Sequence, residues 1–147
     1  MVAILGGIGA AFCFGASTLC SSRSSRLLGS SSVVAWVMLV GLVVVLPPRA
    51  AGVLLVAVPL ALGSRLQLTR RALPLIVASG LAEVAGFAAY AVGARHGIAI
   101  SAVLASQFAA VAAVGAYLLF GERLGRVQLV GVAMIVAGVA ALSGLTA

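Results

Sequence analysis

The sequence predicts an all-α polytopic membrane protein, a bundle of about five transmembrane helices in a single domain covering residues 1–147. Of its residues, 64% are hydrophobic and only 7% are charged, whereas soluble domains are nearer half apolar and a quarter charged. The apolar residues form repeated stretches of about 20, the length that a helix needs to cross about 30 Å of hydrocarbon. These stretches do not alternate apolar and polar residues as the strands of a barrel would.

Five stretches have the length of a span. The predicted spans are residues 2–20, residue 28 to the stop at Pro47 and Pro48, and residues 72–93, 98–120 and 127–145. The first begins MVAILGGIGAAF without a basic region, so we interpret it as a membrane helix and not a signal peptide. It is predicted to end in the Ser- and Arg-rich break SSRSSR.

The segment 51–62, AGVLLVAVPLAL, allows a sixth span. It is only about a dozen residues long and contains Pro59, so an interfacial, re-entrant or folded-back segment fits it better than a span. Arginines divide between alternate loops seven to two with six spans and six to three with five. The positive-inside rule therefore favours six spans, whereas span length favours five.

The net charge of +7 is the balance of nine arginines against two glutamates, and the chain has no lysine. All arginines except Arg95, which stands alone, lie in or beside the polar breaks, where they are expected to anchor loops to anionic lipid headgroups. A basic groove with interleaved aromatics is absent from the sequence, so nucleic-acid binding is not predicted. Arginine without lysine, together with abundant Ala, Gly and Val, suggests a GC-rich bacterial genome and hence the inner membrane. Cys13 and Cys20 lie two turns apart on one helix, about 10 Å, too far for a disulfide.

The sequence from Ala99 to Ser143 carries a recognisable pattern: a long apolar helix ending in a Gly-Glu pair, a short polar turn, Gln-Leu-x-Gly and a final helix with Ala-Gly-Val. The residues that form it are Gly121, Glu122, Gln128, Leu129, Gly131, Ala137, Gly138 and Val139. This pattern resembles the closing part of an EamA-type repeat of the drug/metabolite transporter superfamily. Many members carry a proline in the middle of the fourth helix, where this chain has SQFA, so a straighter helix is expected.

Members of this family usually contain two five-helix repeats. An odd number of helices inverts the second repeat, so two halves enclose a central substrate cavity. The resemblance covers one repeat here and implies a secondary transporter half that moves a small metabolite, an amino-acid-like compound or a drug by alternating access. Its expected partner is a second copy in inverted orientation or a related half-chain, unless the repeat is part of something larger. The alternative is a non-transporting membrane subunit or scaffold that assembles with other helices through its glycine-rich faces.

Five residues are candidates for a substrate or proton pathway. Glu83 lies near the middle of the third predicted span, where a charged carboxylate must be neutralised, paired or face water. It is either a proton relay or contact for a cationic substrate, or a structural carboxyl. Tyr90, seven residues on, is either on the same cavity face or an interfacial tyrosine. Ser106 and Gln107 are polar groups within the fourth span, and Gln107 either faces the pathway or bonds across helices.

Trp36 is the fifth candidate, as a cavity wall or a lipid anchor. The chain has no Asp, no Ser-His-acid arrangement, no phosphate-binding glycine loop with a lysine and no cluster of metal ligands. The sequence therefore predicts neither an enzyme nor a cofactor or metal site.

Overall fold

The computed structural model describes residues 1–62, 68–121, 125, 130–135, 137–138 and 141, and these contain helices and turns but no strand. The helices that it delimits are α1 (Val2–Leu28), α2 (Ser30–Val45), α3 (Pro48–Leu62), α4 (Leu73–Ala94), α5 (Ile98–Ala105) and α6 (Phe108–Phe120). Residues 130–135, 137–138 and 141 of the predicted last span are helical as well. The rest of that span, with Gln128, Leu129 and Val139, lies outside the described residues, and so does Glu122 before it.

The first helix is longer than predicted, because the SSRSSR segment continues α1 and does not break it. Ser24 Oγ donates to Cys20 O at 2.8 Å, and Ser25 Oγ donates to Ser22 O at 2.8 Å. The hydroxyls are thus satisfied on the helix itself, and the segment contains no proline or glycine to stop it. With 27 residues, α1 is about 40 Å long and exceeds the thickness of the hydrocarbon core.

The chain turns at Gly29, which has φ 83° and lies before the first residue of α2. A side chain at this φ would be strained, so glycine is the residue that permits the turn. α2 has 16 residues and ends before Pro48, which begins the 15-residue α3. Proline at a first helical position needs no hydrogen-bond donor. Because α3 includes residues 51–62, the ambiguous segment is helical, and α3 contacts α2.

The third predicted span agrees with α4 to within one residue at each end. The fourth span differs from the straighter helix that was expected, because a turn at Ser106 and Gln107 separates α5 from α6. Ser106 Oγ donates to Val103 O at 2.7 Å, and Gln107 Nε2 donates to the same carbonyl at 3.1 Å. These side chains compete with the backbone for the Val103 carbonyl, and the helix is interrupted without a proline.

Among the residues that the structure describes, three stretches of helix are long and apolar enough to cross a membrane, namely Val2–Leu28, Leu73–Ala94 and Ile98–Phe120. Ser30–Val45 is a shorter apolar helix. Large side chains such as Phe12, Phe87 and Leu118 are exposed on the helices, as lipid-facing residues are. The predicted class is confirmed: the chain is a multi-pass membrane helix bundle.

The described chain forms two compact units, a first unit of Met1–Gly15 with Ala88–Ala147 and a second unit of Ala16–Phe87. In the first unit, helix backbones pack closely at small residues. A Cβ atom added to Gly6 would lie 2.6 Å from Gly93 Cα, and Ser101 Oγ donates to Ala3 O at 3.1 Å. The rings of Phe14 and Phe108 meet edge to face, with centroids 6.4 Å apart.

The second unit has a small apolar core. Its buried residues are Leu28, Val33, Val37, Ala72 and Ile76, with Trp36 and Val40 packed against them. Gly80 of α4 lies against Val40 of α2, since a Cβ atom added there would be 2.6 Å from Val40 Cγ1. Close approach at small residues is how helices associate in lipid, where hydrophobic burial supplies little driving force.

Candidate functional site

The second unit contains a cleft of about 400 Å³, within the range of about 300–1,000 Å³ that small-molecule sites occupy. Three helices supply its walls. The lining residues are Ser17, Thr18, Ser21, Ser22 and Ser25 of α1, Ser30, Val33, Val34, Val37 and Met38 of α2, and Glu83 of α4. The cleft therefore combines a hydroxyl wall, an apolar wall and one carboxylate.

The hydroxyl wall is one continuous face of α1. Ser17, Ser21 and Ser25 follow one another at intervals of four residues, and Thr18 and Ser22 stand beside them. Residues four apart lie one above the other on a helix. Five hydroxyl-bearing residues therefore line one side of the cleft.

The apolar wall is one face of α2. Val33, Val34, Val37 and Met38 form this wall, and their positions repeat with the period of a helix face. Ser30, one turn before them, adds a hydroxyl at the end of the same face. Val33 and Val37 also belong to the core of the second unit. The wall is thus held by packing, whereas Val34 and Met38 are more than half exposed.

Glu83 is half-buried on α4 and lines the cleft. No other residue in the described part of the chain is acidic. Within that part, Glu83 makes no hydrogen bond or ion pair. A charged carboxylate at membrane depth is expensive unless it faces water, a cation or hydrogen-bond donors, and the cleft is where these can reach it.

Ser79, one turn before Glu83 on α4, ties the hydroxyl wall to that helix. Its side chain is fully buried. Ser79 Oγ donates to Ser17 O at 3.0 Å and lies 2.9 Å from Ser17 Oγ and 2.7 Å from Ser21 Oγ. Three contacts converge on one hydroxyl and hold α1 and α4 in register beside the cleft.

The other predicted site residues are not among the residues that line this cleft. Trp36 packs against the core of the second unit, and its buried Nε1 has no hydrogen-bond partner in the described chain. Tyr90 is half-buried two turns beyond Glu83 on α4. Ser106 and Gln107 form the turn between α5 and α6 in the first unit, and Gln107 Nε2 donates to Val103 O of its own segment. Roles for these four residues stay predictions.

Sequence reasoning did not single out Ser79 or the serines of α1. The serines of SSRSSR, residues 21–26, were assigned to a loop. The four-residue spacing of Ser17, Ser21 and Ser25 could have indicated one face of a helix. No group of three or more His, Cys, Asp or Glu side chains gathers in the described residues, and Cys13 and Cys20 are free.

The described helices and the cleft define a polytopic membrane protein with a polar cleft between its helices. The EamA-like transporter family matches residues 1–144, and the chain belongs to that family. Neither the curated proteins nor the solved structures give a match. The glycine of the family's Gly-Glu pair has a structural role here, because Gly121 closes α6 with φ 62° and donates its N–H to Tyr117 O at 3.0 Å.

Replacing Ser79 with alanine is expected to lower the free energy of unfolding in detergent by about 1–2 kcal/mol, since hydrogen bonds between membrane helices contribute about 0.6 kcal/mol each on average. Ser106→Ala is the matched control, because the Ser106 hydroxyl bonds only within its own segment in the described chain. Thermal unfolding followed by circular dichroism measures both. Equal stability of the two variants would contradict the role assigned to Ser79.

Proposed function

We propose that this chain is one half of a secondary transporter that moves a small solute by alternating access. This half's part of the solute site is the cleft of the second unit, where hydroxyls and a carboxylate line a void in a chain that is 64% hydrophobic. Polar side chains at membrane depth are costly and are concentrated where a substrate or ion passes. This concentration at one cleft is the observation that carries the proposal, together with membership of a transporter family.

A transport pathway needs a second half. In transporters built from repeats with an odd number of helices, the halves are inverted and the substrate lies between them near the midplane. The second repeat is a second copy of this chain, a related half-chain or a further segment of a longer protein. The many exposed apolar side chains of the described helices leave surface for both lipid and a partner repeat.

Glu83 is the residue we assign to proton coupling. A carboxylate that is exposed to the cleft takes up a proton on one side of the membrane and releases it on the other. Because solute and proton meet at the same cleft, occupancy by one changes the affinity for the other. The steps at Glu83 are therefore binding and release of one proton at the carboxylate oxygens, and no covalent chemistry is involved.

The test is reconstitution of the purified protein into lipid vesicles with an imposed pH gradient, followed by uptake measurements with a panel of labelled amines, amino acids and neutral solutes. We expect accumulation of at least one solute that collapses when a protonophore dissipates the gradient. Vesicles with the same protein and no gradient are the control. Failure of every solute to move, together with a monomer in detergent, would favour the scaffold function over transport.

Inverted pairing of two copies predicts dual orientation. A single cysteine at the amino terminus of a Cys13→Ala/Cys20→Ala variant is expected to react with a membrane-impermeant maleimide from both sides of the membrane in comparable amounts. A variant with one cysteine at each terminus tests the span number in each copy, because six spans leave both cysteines of one molecule reactive from the same side and five leave only one of them reactive from that side. Labelling from one side only would contradict pairing of identical inverted copies.

A further inference from the structure

We propose that the cleft selects a primary ammonium ion with a short apolar substituent, and that it discriminates against zwitterions and anions. The inference rests on the proposed function and names the substrate class of the same site. Three features carry it: the hydrogen-bond roles left to the hydroxyl wall, the charge of the lining residues, and the apolar wall on α2.

The first feature follows from counting protons on the hydroxyls. Each serine has one O–H donor and two acceptor lone pairs. Either oxygen can be the donor in the contacts of Ser79 Oγ with Ser17 Oγ and Ser21 Oγ. All three contacts of Ser79 are satisfied together in the arrangement in which Ser79 donates to Ser17 O and the other two hydroxyls donate to Ser79 Oγ. The proton of Ser25 is likewise directed to Ser22 O.

In this arrangement the hydroxyls of Ser17, Ser21 and Ser25 donate within the protein, and their oxygens keep lone pairs that can accept. Glu83, when ionised, also offers only acceptors. These acceptors are complementary to a ligand that brings donors. An –NH₃⁺ group has three donors and no acceptor, so it matches this wall better than a hydroxyl, an amide or a carboxylate does.

The second feature is charge. The residues that line the cleft include one carboxylate and no Arg, Lys or His. A cation is attracted to Glu83, and it compensates the cost of a carboxylate at this depth. The carboxylate of an amino acid would meet acceptor oxygens and a like charge, with no basic residue among the lining side chains to bind it. An amine should therefore bind more tightly than the amino acid with the same side chain.

The third feature is the α2 wall. Val33, Val34, Val37 and Met38 offer an apolar surface along one side of the cleft. Methionine adapts its shape to different apolar groups. A linear or branched alkyl chain of a few carbons fits between this surface and the hydroxyl wall, and its burial favours binding in proportion to apolar area.

The experiment compares butylammonium, 1-butanol, butyrate and butyltrimethylammonium as probes at pH 7, where the amine is protonated and the acid ionised. The chain has a single tryptophan, Trp36, which lies on α2 between the lining residues Val33 and Val37. Its fluorescence is a native reporter, and isothermal titration calorimetry repeats the comparison without depending on it. Both use the purified full chain in detergent.

We expect saturable binding of butylammonium that is about tenfold or more tighter than that of 1-butanol and butyrate, because hydrogen bonds to charged groups are the stronger class. Butyltrimethylammonium has the charge but no N–H donor, so it should bind more weakly than butylammonium. Glu83→Gln should remove the preference, and Ser21→Ala should reduce it. Glu122→Gln, the same change at the chain's other acid, is the matched control and should retain the preference.

Equal affinities for butylammonium and 1-butanol would overturn the inference, and so would an unchanged preference in Glu83→Gln. Tighter binding of the quaternary ion would overturn the assignment of the hydroxyls as acceptors. Transport of a neutral solute without ammonium binding would leave the proposed function standing and reject the substrate class. Ammonium binding in a protein that moves no solute would support the ligand class and reject the proposed transport function.

Discussion

Glu83→Gln is expected to abolish solute accumulation driven by a proton gradient and reduce it to the level of protein-free vesicles. Glutamine has nearly the volume of glutamate but cannot take up or release a proton, so the cleft should keep its shape and lose the group to which we assign proton coupling. The neutral amide is also cheaper to place at membrane depth than a charged carboxylate. Thermal stability in detergent should therefore be equal to that of the unmodified chain or higher.

The measurement is uptake into vesicles with and without a pH gradient for both variants. Glu122→Gln serves again as the control, and it should retain accumulation. Glu83→Asp keeps an ionisable carboxylate on a side chain shorter by one methylene, so partial accumulation is expected. Full proton-driven accumulation in a correctly folded Glu83→Gln protein would remove Glu83 from the coupling mechanism.

Gly6→Ala is expected to lower the free energy of unfolding strongly, although it adds only one methyl group. A Cβ atom at Gly6 would lie 2.6 Å from Gly93 Cα, 2.7 Å from Ala89 O and 2.7 Å from Gly93 N. All three neighbours are backbone atoms, so no rotamer change relieves the contact, and α1 and α4 must move apart. Overpacking of this kind costs about 1–3 kcal/mol, and we expect the upper part of this range in the free energy of unfolding.

Gly52→Ala is the matched control on α3. A Cβ atom there meets nothing within 4 Å in the described chain, so the substitution should be neutral or should stabilise the helix by up to about 1 kcal/mol. Unfolding of the three proteins in a mixed-detergent titration compares them directly. If Gly6→Ala were as stable as Gly52→Ala, the close approach of α1 and α4 at Gly6 would be wrong.

Part of the candidate site could be predicted from the sequence, because one residue, Glu83, is unusual by itself. Glu83 lies among apolar neighbours, and a charged carboxylate in lipid has a high free energy whichever helices surround it. The residue could therefore be identified as a candidate without knowing the packing. The span that contains it was also predictable. Its 22 residues in α4 are uncharged except for Glu83, and the one proline, Pro74, lies in the first turn of the helix. By contrast, a single serine costs little free energy in a membrane helix, because its hydroxyl can bond to the backbone of the same helix. No serine of α1 was therefore conspicuous, and the Ser- and Arg-rich composition of SSRSSR suggested a loop.

The interruption at Ser106 and Gln107 shows a related limit. The absence of proline predicted a straighter helix, but side-chain bonds to the Val103 carbonyl compete with the backbone there. Such competition depends on side-chain conformation, and a sequence pattern does not specify which of the available partners a hydroxyl or amide takes.

By itself, the sequence determined the membrane class, the position of the long apolar helices and the kinship with a transporter family, because these depend on composition and on patterns within one segment. Only the tertiary structure decided that Ser17 and Ser21 meet Ser79 about 60 residues away in the chain, and that the hydroxyl face of α1, the apolar face of α2 and Glu83 enclose one cleft. The helical period specifies which residues share a face. Which helix covers that face is decided by packing between segments, and in lipid this depends on close contacts at small residues that no single segment encodes.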